Sequence, residues 1–492
     1  MNTAHPNRRT AASRRLVLKS AAAAVTALFG PTVRTAHAAA LGFTAVPVSQ
    51  RDAVVVPPEY EFQVLYRWGD PTGIAGYLPA FKPDASNTAD EQTAQAGMHH
   101  DGMHVFPLGE DGQRALLVLN HEYTDEHLLH PDGATPPTSA KARKSQHAVG
   151  VSVIEIARDP TGWRQVLPSR YARRIHANTP MALSGPAAGS RLLQTSLDPS
   201  GRAVLGTLAN CAMGVTPWGT YLTCEENFHG YFGADKGAGA SPDAAARRYG
   251  TVAGGQWVDW YRFDERFDLL KHPNEPHRFG WVVEIDPMDP TSTPVKRTAL
   301  GRKCTESATC RLTADGRVAV YMGDDARFEF IYKFVSRDRV RPGGYSANRD
   351  LLDHGTLYAA RFDASGQGEW LALEPGSPAI KAADGLDGPA EVVVRARLAA
   401  SALGASPMDR PEWVAIQPQT GEVFVSLTNN VQRGGPGRPD ADAANPRVSN
   451  LGGHIIRWTE AGGDAAATTF HWRHFVLAGD PTLPGSGTHY PS

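Results

Sequence analysis

Four stretches of this chain repeat one order of residue types at wide and similar intervals, and that repetition restricts the fold more than any other feature. Each copy opens on a metal-capable residue, passes through a turn and a β-strand, and closes on a polar or acidic pair. The first runs from His100-Asp101-Gly102 through Asp111-Gly112 and the apolar run 115–119 to Asn120-His121-Glu122-Tyr123. The second begins at Asn210-Cys211, turns at Pro217-Trp218-Gly219 and ends at Cys224-Glu225-Glu226-Asn227. The third opens with Thr305-Glu306, turns at Asp315-Gly316 and closes with Gly323-Asp324-Asp325. The fourth goes from Arg410-Pro411-Glu412 through Thr420-Gly421 to Thr428-Asn429-Asn430. The opening residues Asp101, Cys211, Glu306 and Glu412 are 110, 95 and 106 positions apart. Radial repetition, in which corresponding loops of successive units converge on one end of a central channel, answers to this pattern, so an all-β fold, a β-propeller, is expected.

The rest of the chain agrees with an all-β reading. Gly (49) and Pro (37) are abundant, and short apolar runs are separated by Asp-Gly, Thr-Gly and Pro-Gly turn signals. Strands are expected at 115–119, 150–156, 220–224, 281–285, 318–322, 330–335, 356–362, 413–416, 423–427 and 454–458, with no long helical periodicity. Polar, Gly/Pro/Ala-rich stretches at 83–95, 237–247 and 432–445 read as surface insertions, none strong enough to mark a second domain. Trp218 and Tyr332 read as core. The 49 basic residues balance 51 acidic ones, so the chain lacks the positive field that nucleic acid or an anionic membrane requires, and neither partner is expected. Four cysteines, Cys211, Cys224, Cys304 and Cys310, are too few for a disulfide scaffold, and a Cys304–Cys310 pairing stays open.

The repeat has a chemical consequence. Glu306 to Asp325 spans 19 positions and Glu412 to Asn430 spans 18, so equivalent strand ends face one another across the axis. Gathering Glu122, Glu226, Glu306, Asp325 and Glu412 in a poorly solvated channel sets like charges against one another, and bound cations are the simplest remedy. Carboxylates and Asn carbonyls suit hard ions such as calcium, whereas a Cys211 thiolate favours a softer ion such as iron or zinc. Competing readings are plain: acidic pairs form turns in ordinary sandwiches, an isolated Cys211 is a small buried hydrophobe, and His100/Asp101 and His121/Glu122 are solvated loop residues.

At the N-terminus, Ser13-Arg14-Arg15-Leu16-Val17-Leu18-Lys19 precedes an apolar stretch at 21–29 and an Ala36-His37-Ala38 site before Ala39. This is the layout of a twin-arginine signal peptide at residues 1–38, its apolar stretch well short of the roughly 20 residues that cross a bilayer. The expected mature chain is a single domain over 39–492, exported by the twin-arginine translocase to the periplasm or beyond, without a membrane anchor and monomeric.

Residues 210–227, Asn210-Cys211-Ala212-Met213-Gly214-Val215-Thr216-Pro217-Trp218-Gly219 through Cys224-Glu225-Glu226-Asn227, resemble the hallmark of the PhoX family of bacterial alkaline phosphatases. The resemblance continues through Leu119-Asn120-His121-Glu122-Tyr123, Gly301-Arg302 with Glu306, Tyr321-Met322-Gly323-Asp324-Asp325, Arg410-Pro411-Glu412 and Asn445-Pro446-Arg447, in family order. It implies a six-bladed propeller whose funnel holds two ferric ions and several calcium ions, with Cys211, Glu226, Glu306, Asp325 and Glu412 as ligands. Glu122 joins them through its place in the repeat. Arg410 would bind the substrate phosphate, and Arg410, Glu412 and Cys211 are the residues expected to act in phosphomonoester hydrolysis, without a side-chain nucleophile. Two departures stand out: Lys303-Cys304-Thr305-Glu306 lacks the family's histidine, and the chain stops soon after Gly479-Asp480-Pro481, so that either a closing segment is missing or the ring closes differently. No Ser-His-Asp set on a G-x-S-x-G elbow, P-loop or dinucleotide fingerprint is evident. The alternatives are a calcium-dependent propeller lactonase or phosphotriesterase, which would have no use for Cys211, and a secreted binding propeller in which metals serve structure alone.

Overall fold

The computed structural model describes residues 42–490 except positions 48, 236, 238, 240, 241, 255, 256, 481 and 483–486. The proposed signal peptide at 1–38 lies outside the described residues. The chain divides into two compact units, residues 1–63 with 492, and residues 64–491. In the described part of the first, Thr44 Oγ1 donates to Glu59 at 2.6 Å and Phe43 meets Tyr60 edge-on. All described strands lie in the second unit.

Those strands form three sheets built from four-stranded antiparallel meanders. The first sheet orders His100–Pro107, Arg114–His121, Gly150–Asp159 and Gly162–Gln165, with Arg173–Ile175 also pairing the third strand. The second orders Asn210–Val215, Tyr221–Glu225, Val282–Ile285 and Val295–Arg297, and extends through Pro180–Ser184 to Ala203–Leu205. The third holds nine strands. Thr305–Leu312, Arg317–Asp324, Ile331–Arg339 and Gly355–Phe362 make one meander; Pro411–Ile416, Val423–Leu427, His454–Glu460 and Thr469–Leu477 make another. Gln367–Ala372 joins them by pairing with both Gly355–Phe362 and Thr469–Leu477.

Burial along the strands tells which lie deep. Arg317–Asp324 is buried from its second residue onward, as a strand covered on both faces must be, and its apolar run is correspondingly continuous. Thr469–Leu477 instead alternates exposed and buried residues in its first half, the period-two signature of a strand with one wet face. Between the sheets lie apolar clusters around Val118, Tyr221 and Trp281, around Val320, Met322 and Tyr332, and around Tyr321, Trp370, Trp458 and Phe470. Trp218 and Tyr332 are buried, and the Trp218 indole N–H donates to Glu284 at 2.7 Å.

Each sequence repeat is one hairpin, and the hairpins stand side by side. Asn120 Nδ2 in the first donates to the Cys211 and Ala212 carbonyls in the second, at 2.5 and 3.1 Å. A Cβ on Gly214 of the second would strike the Ala308 carbonyl of the third. Thr309 Oγ1 of the third donates to the Val414 carbonyl of the fourth at 2.6 Å, and Gly323 lies against the Pro411 and Glu412 carbonyls. Each hairpin also carries a one-residue β-bulge near the start of its first strand, between pairs His100↔His121 and Met103↔Leu119, Asn210↔Glu225 and Met213↔Thr223, Glu306↔Gly323 and Thr309↔Tyr321, and Pro411↔Leu427 and Val414↔Val425. Bulges re-aim side chains at functional rims.

The register corrects the sequence alignment of the copies by one residue. Asp101, Cys211 and Glu412 each follow the last regular pair, whereas Glu306 is itself in that pair and Ser307 follows it. The third bulge is of another shape: positive φ falls on His99, Ala209 and Arg410 ahead of the other three strands, but on Ser307, at 103°, inside this one. Residues 432–445 are also more than a surface insertion, since Arg433 and Asn445 are fully buried. Likewise, residues 83–95 hold a capped turn of helix, Ala89–Gln92, and bury Gln92 and Gln95. Cys304 and Cys310 do not pair; both are free thiols, Cys310 packing against the Val320 cluster. Among the described residues no helix is long and apolar enough to cross a membrane.

Because Gly214 is where the second hairpin touches the backbone of the third, Gly214→Ala is expected to destabilise the fold by roughly 1–3 kcal/mol through overpacking. The control is Gly376→Ala, where a Cβ meets nothing within 4 Å. Thermal melts that leave Gly214→Ala and the control equal would refute the tight seam.

Candidate metal centre

The ends of the four hairpins deliver seven side chains to one place. Asp101 and Glu122 come from the first, Cys211 and Glu226 from the second, Glu306 and Asp325 from the third, and Glu412 from the fourth. They form three overlapping triads, Asp101/Glu122/Cys211, Cys211/Glu226/Glu306 and Glu306/Asp325/Glu412, and within each the donor atoms lie within 4.8 Å of one another. Cys211 belongs to the first two triads and Glu306 to the last two, so the donors form one continuous group. The Cys211 thiol donates to Asp101 Oδ2 at 3.1 Å and reaches Glu306 Oε1 at 3.5 Å.

The electrostatics of this group are unfavourable without a cation. Burial, then the charges of Asp325 and Glu412, push Glu306 up to about 9. Burial and the neighbouring Asp101 push Glu122 up to about 7. Glu226 rises well above the carboxylate range through burial and the charges of Glu306 and Asp325, and Glu412 rises through burial and Asp325. Burial raises the Cys211 thiol, and Glu306, Glu226 and Asp101 add to it. The closeness of Asp101 raises Glu122 further, and that of Asp325 raises Glu226 further. Multivalent cations would relieve this repulsion, and a donor set of six carboxylates and one sulfur fits such ions.

Arg410 is the basic residue of the group. Its Nε and Nη2 donate to Asp325 Oδ1 and Oδ2 at 2.8 and 2.7 Å, a bidentate pair, and Nη2 lies 3.7 Å from Glu412 Oε1. Burial alone would lower its basicity; Asp325 outweighs that and raises it. Its backbone adopts φ 50°, unusual for a non-glycine residue. Beside the cluster opens a cavity of about 570 Å³, lined by Glu226, Asp325 and Arg410 together with Arg248, Arg327 and Arg438.

All six residues expected as ligands, Glu122, Cys211, Glu226, Glu306, Asp325 and Glu412, are therefore brought together, with Arg410 against them. Asp101 joins them, although the sequence left it balanced between ligand and solvated loop. His100 and His121 do not: they pack on each other and on Tyr66, with His121 Nε2 2.7 Å from Ser152 Oγ. Asn430 is buried and donates its side-chain amide to Asp409 at 2.8 Å. The cavity arginines went unread because Arg327 follows the acidic pair of the third copy and Arg438 sits in an apparent surface insertion; the Arg247-Arg248 doublet was the available signal.

Six carboxylates, a thiol and an arginine gathered on a mostly β frame make a candidate metal-binding site. The family described as Alkaline phosphatase PhoX matches residues 41–489, and the chain belongs to that family. It is an alkaline phosphatase. A solved structure, Pseudomonas fluorescens PhoX in complex with vanadate, a transition state analogue, is similar with a TM-score of 0.86 and 49% sequence identity over 91% of this chain and 78% of that one. No curated protein matches the chain.

The shifts carry a signed pH dependence for protein stripped of metal. Glu122 and Glu306 have folded values above their ordinary 4.5, so their contribution to stability is complete below 4.5 and is lost as pH rises through about 7 and about 9. The melting temperature of chelated protein is thus expected to fall between pH 5 and 9, less steeply in Glu306→Gln, and added cations should restore it. A flat profile in chelated wild type would refute the repulsion.

Proposed function

We propose that this phosphatase hydrolyses phosphomonoesters to inorganic phosphate at the axial cluster, with iron and calcium as its metals. The observation that carries the reading is the convergence of one soft thiol and six carboxylates beside an arginine-lined cavity. Sulfur favours iron over calcium, and the excess of carboxylates over sulfur favours calcium for the remaining positions. Asp101, Glu122, Cys211, Glu226, Glu306, Asp325 and Glu412 would hold these ions, which when bound supply charge neutralisation and acidified water.

The chain's own residues account for the rest. Arg410 directs its guanidinium at the incoming phosphate, and Asp325 and Glu412 hold that guanidinium in place. Glu412 thereby ties the anion-holding residue to the metal donors. Cys211, shared between two triads, links the donors of the first and third hairpins. The relative's vanadate supports an in-line displacement at phosphorus here as well. Four meanders packed hairpin to hairpin support a propeller, six-bladed by family likeness. The Arg14-Arg15 leader supports twin-arginine export, to the periplasm or beyond, and the exported protein is taken to be a monomer.

Purified protein assayed on p-nitrophenyl phosphate, a lactone and a phosphotriester is expected to turn over the first alone and to be inhibited by vanadate. Arg410→Ala should lower kcat/KM by about 10²-fold or more, the range for loss of one preorganised charge donor. Cys211→Ser should lose iron, by elemental analysis, together with activity. Wild-type iron content and turnover in Cys211→Ser would overturn the ligand role.

A further inference from the structure

The residue immediately before three of the axial side chains is a buried acid locked to a buried base. Glu225 precedes Glu226, and its Oε1 accepts from Lys296 Nζ at 2.6 Å while Oε2 accepts the Gly280 and Trp281 amides at 3.0 and 3.1 Å. Asp324 precedes Asp325 and accepts from Arg397 at 2.5 and 2.8 Å and from the Cys304 amide at 3.0 Å. Asp409 precedes Arg410 and accepts from Arg433 Nε at 2.6 Å and from the Asn430 and Asn450 amides at 2.8 and 3.1 Å. All six side chains are at most 2% exposed. The bases arrive from unrelated places: the strand Val295–Arg297, the helix Ala396–Ala402 and the loop around Arg433. In the first hairpin the residue before Glu122 is His121, bonded to Ser152 instead.

Burying an ion pair is a poor route to stability, because desolvation offsets most of the attraction and apolar replacements often do as well. What such a pair does impose is geometry, since neither partner can move without leaving a buried charge alone. Recurrence at three hairpin ends, each one residue from the axis, therefore points to position rather than stability.

We propose that Glu225–Lys296, Asp324–Arg397 and Asp409–Arg433 are positioning pairs with separate duties, the first two setting the metal-holding Glu226 and Asp325 and the third setting the phosphate-holding Arg410. This rests on the function proposed above. The division of duties follows from the chain: a displaced Glu226 or Asp325 removes a cation donor, whereas a displaced Arg410 unpairs Asp325 but removes no donor, and weakens the hold on phosphate. Asp325 is clamped twice over, because its own amide donates to the Cys304 carbonyl at 2.9 Å while Asp324 takes the Cys304 amide.

The test is elemental analysis, p-nitrophenyl phosphate kinetics and phosphate inhibition on full-length Glu225→Gln, Asp324→Asn and Asp409→Asn, with melting curves to report folding. Glu225→Gln and Asp324→Asn are expected to weaken metal retention by about 10- to 100-fold, as loss of ligand-orienting partners does, with kcat falling in step with metal content. Asp409→Asn is expected to keep wild-type metal content and to raise KM and the phosphate inhibition constant by about tenfold. Arg433→Lys and Arg397→Lys keep the charge but lose the guanidinium fork, and should show the same split in milder form if an acid variant does not fold. Variants that lose metal and affinity together, or that all keep both, would overturn the division of duties. Wild-type protein that neither retains metal nor turns over the ester would instead overturn the assignment of the site, and this inference with it.

Discussion

Mutual repulsion of carboxylates in a poorly hydrated space is the constraint to which the rest of this structure answers. Six carboxyl groups and a thiol converge where four hairpins meet, and burial raises the energy of every charge placed there. A fold would discard such a grouping unless something compensated it. The raised proton affinity of Glu122, Glu226 and Glu306 does so in part, and Arg410 does so for Asp325. The arrangement becomes reasonable for a phosphatase, whose ions must attract a dianionic ester and whose acids must hold those ions.

The frame around the site turns that convergence into fixed distances. Hairpins approach through Gly214 and Gly323, where no side chain intervenes, and through hydrogen bonds from Asn120 and Thr309 to neighbouring carbonyls. A bulge near the start of each hairpin turns its first strand, one pair later in the third than in the others. Ligand spacing is thus a property of backbone packing between neighbours, with each donor contributed by a different local turn.

Much of this was legible in the chain and some was not, for identifiable reasons. All ten expected strands are present, because apolar β-rich runs bounded by Gly turns report burial directly. The strands His100–Pro107, Asn210–Val215 and Thr305–Leu312 were read only as openings of repeats: polar and metal-capable residues at their bulges break the alternation by which strands are recognised. Those same residues gave the site away, since Asp101, Cys211 and Glu306 are metal-capable and open successive copies of the repeat. The one-residue displacement of Glu306 was invisible because a bulge changes register without changing composition. The second rank of buried bases was equally hidden: Lys296, Arg397 and Arg433 look like surface charges until the fold encloses them.

The nine-stranded sheet has a property that isolated blades lack. Its two terminal strands, Thr305–Leu312 and Pro411–Ile416, both lie at the hairpin seam, and its outer strands are sewn together through Gln367–Ala372. Unpaired strand edges invite stray chains to add on and begin aggregation. Here the two terminal edges are turned toward each other beside the donor cluster, so among the described residues these two ladders face the protein's own backbone and not passing polypeptides.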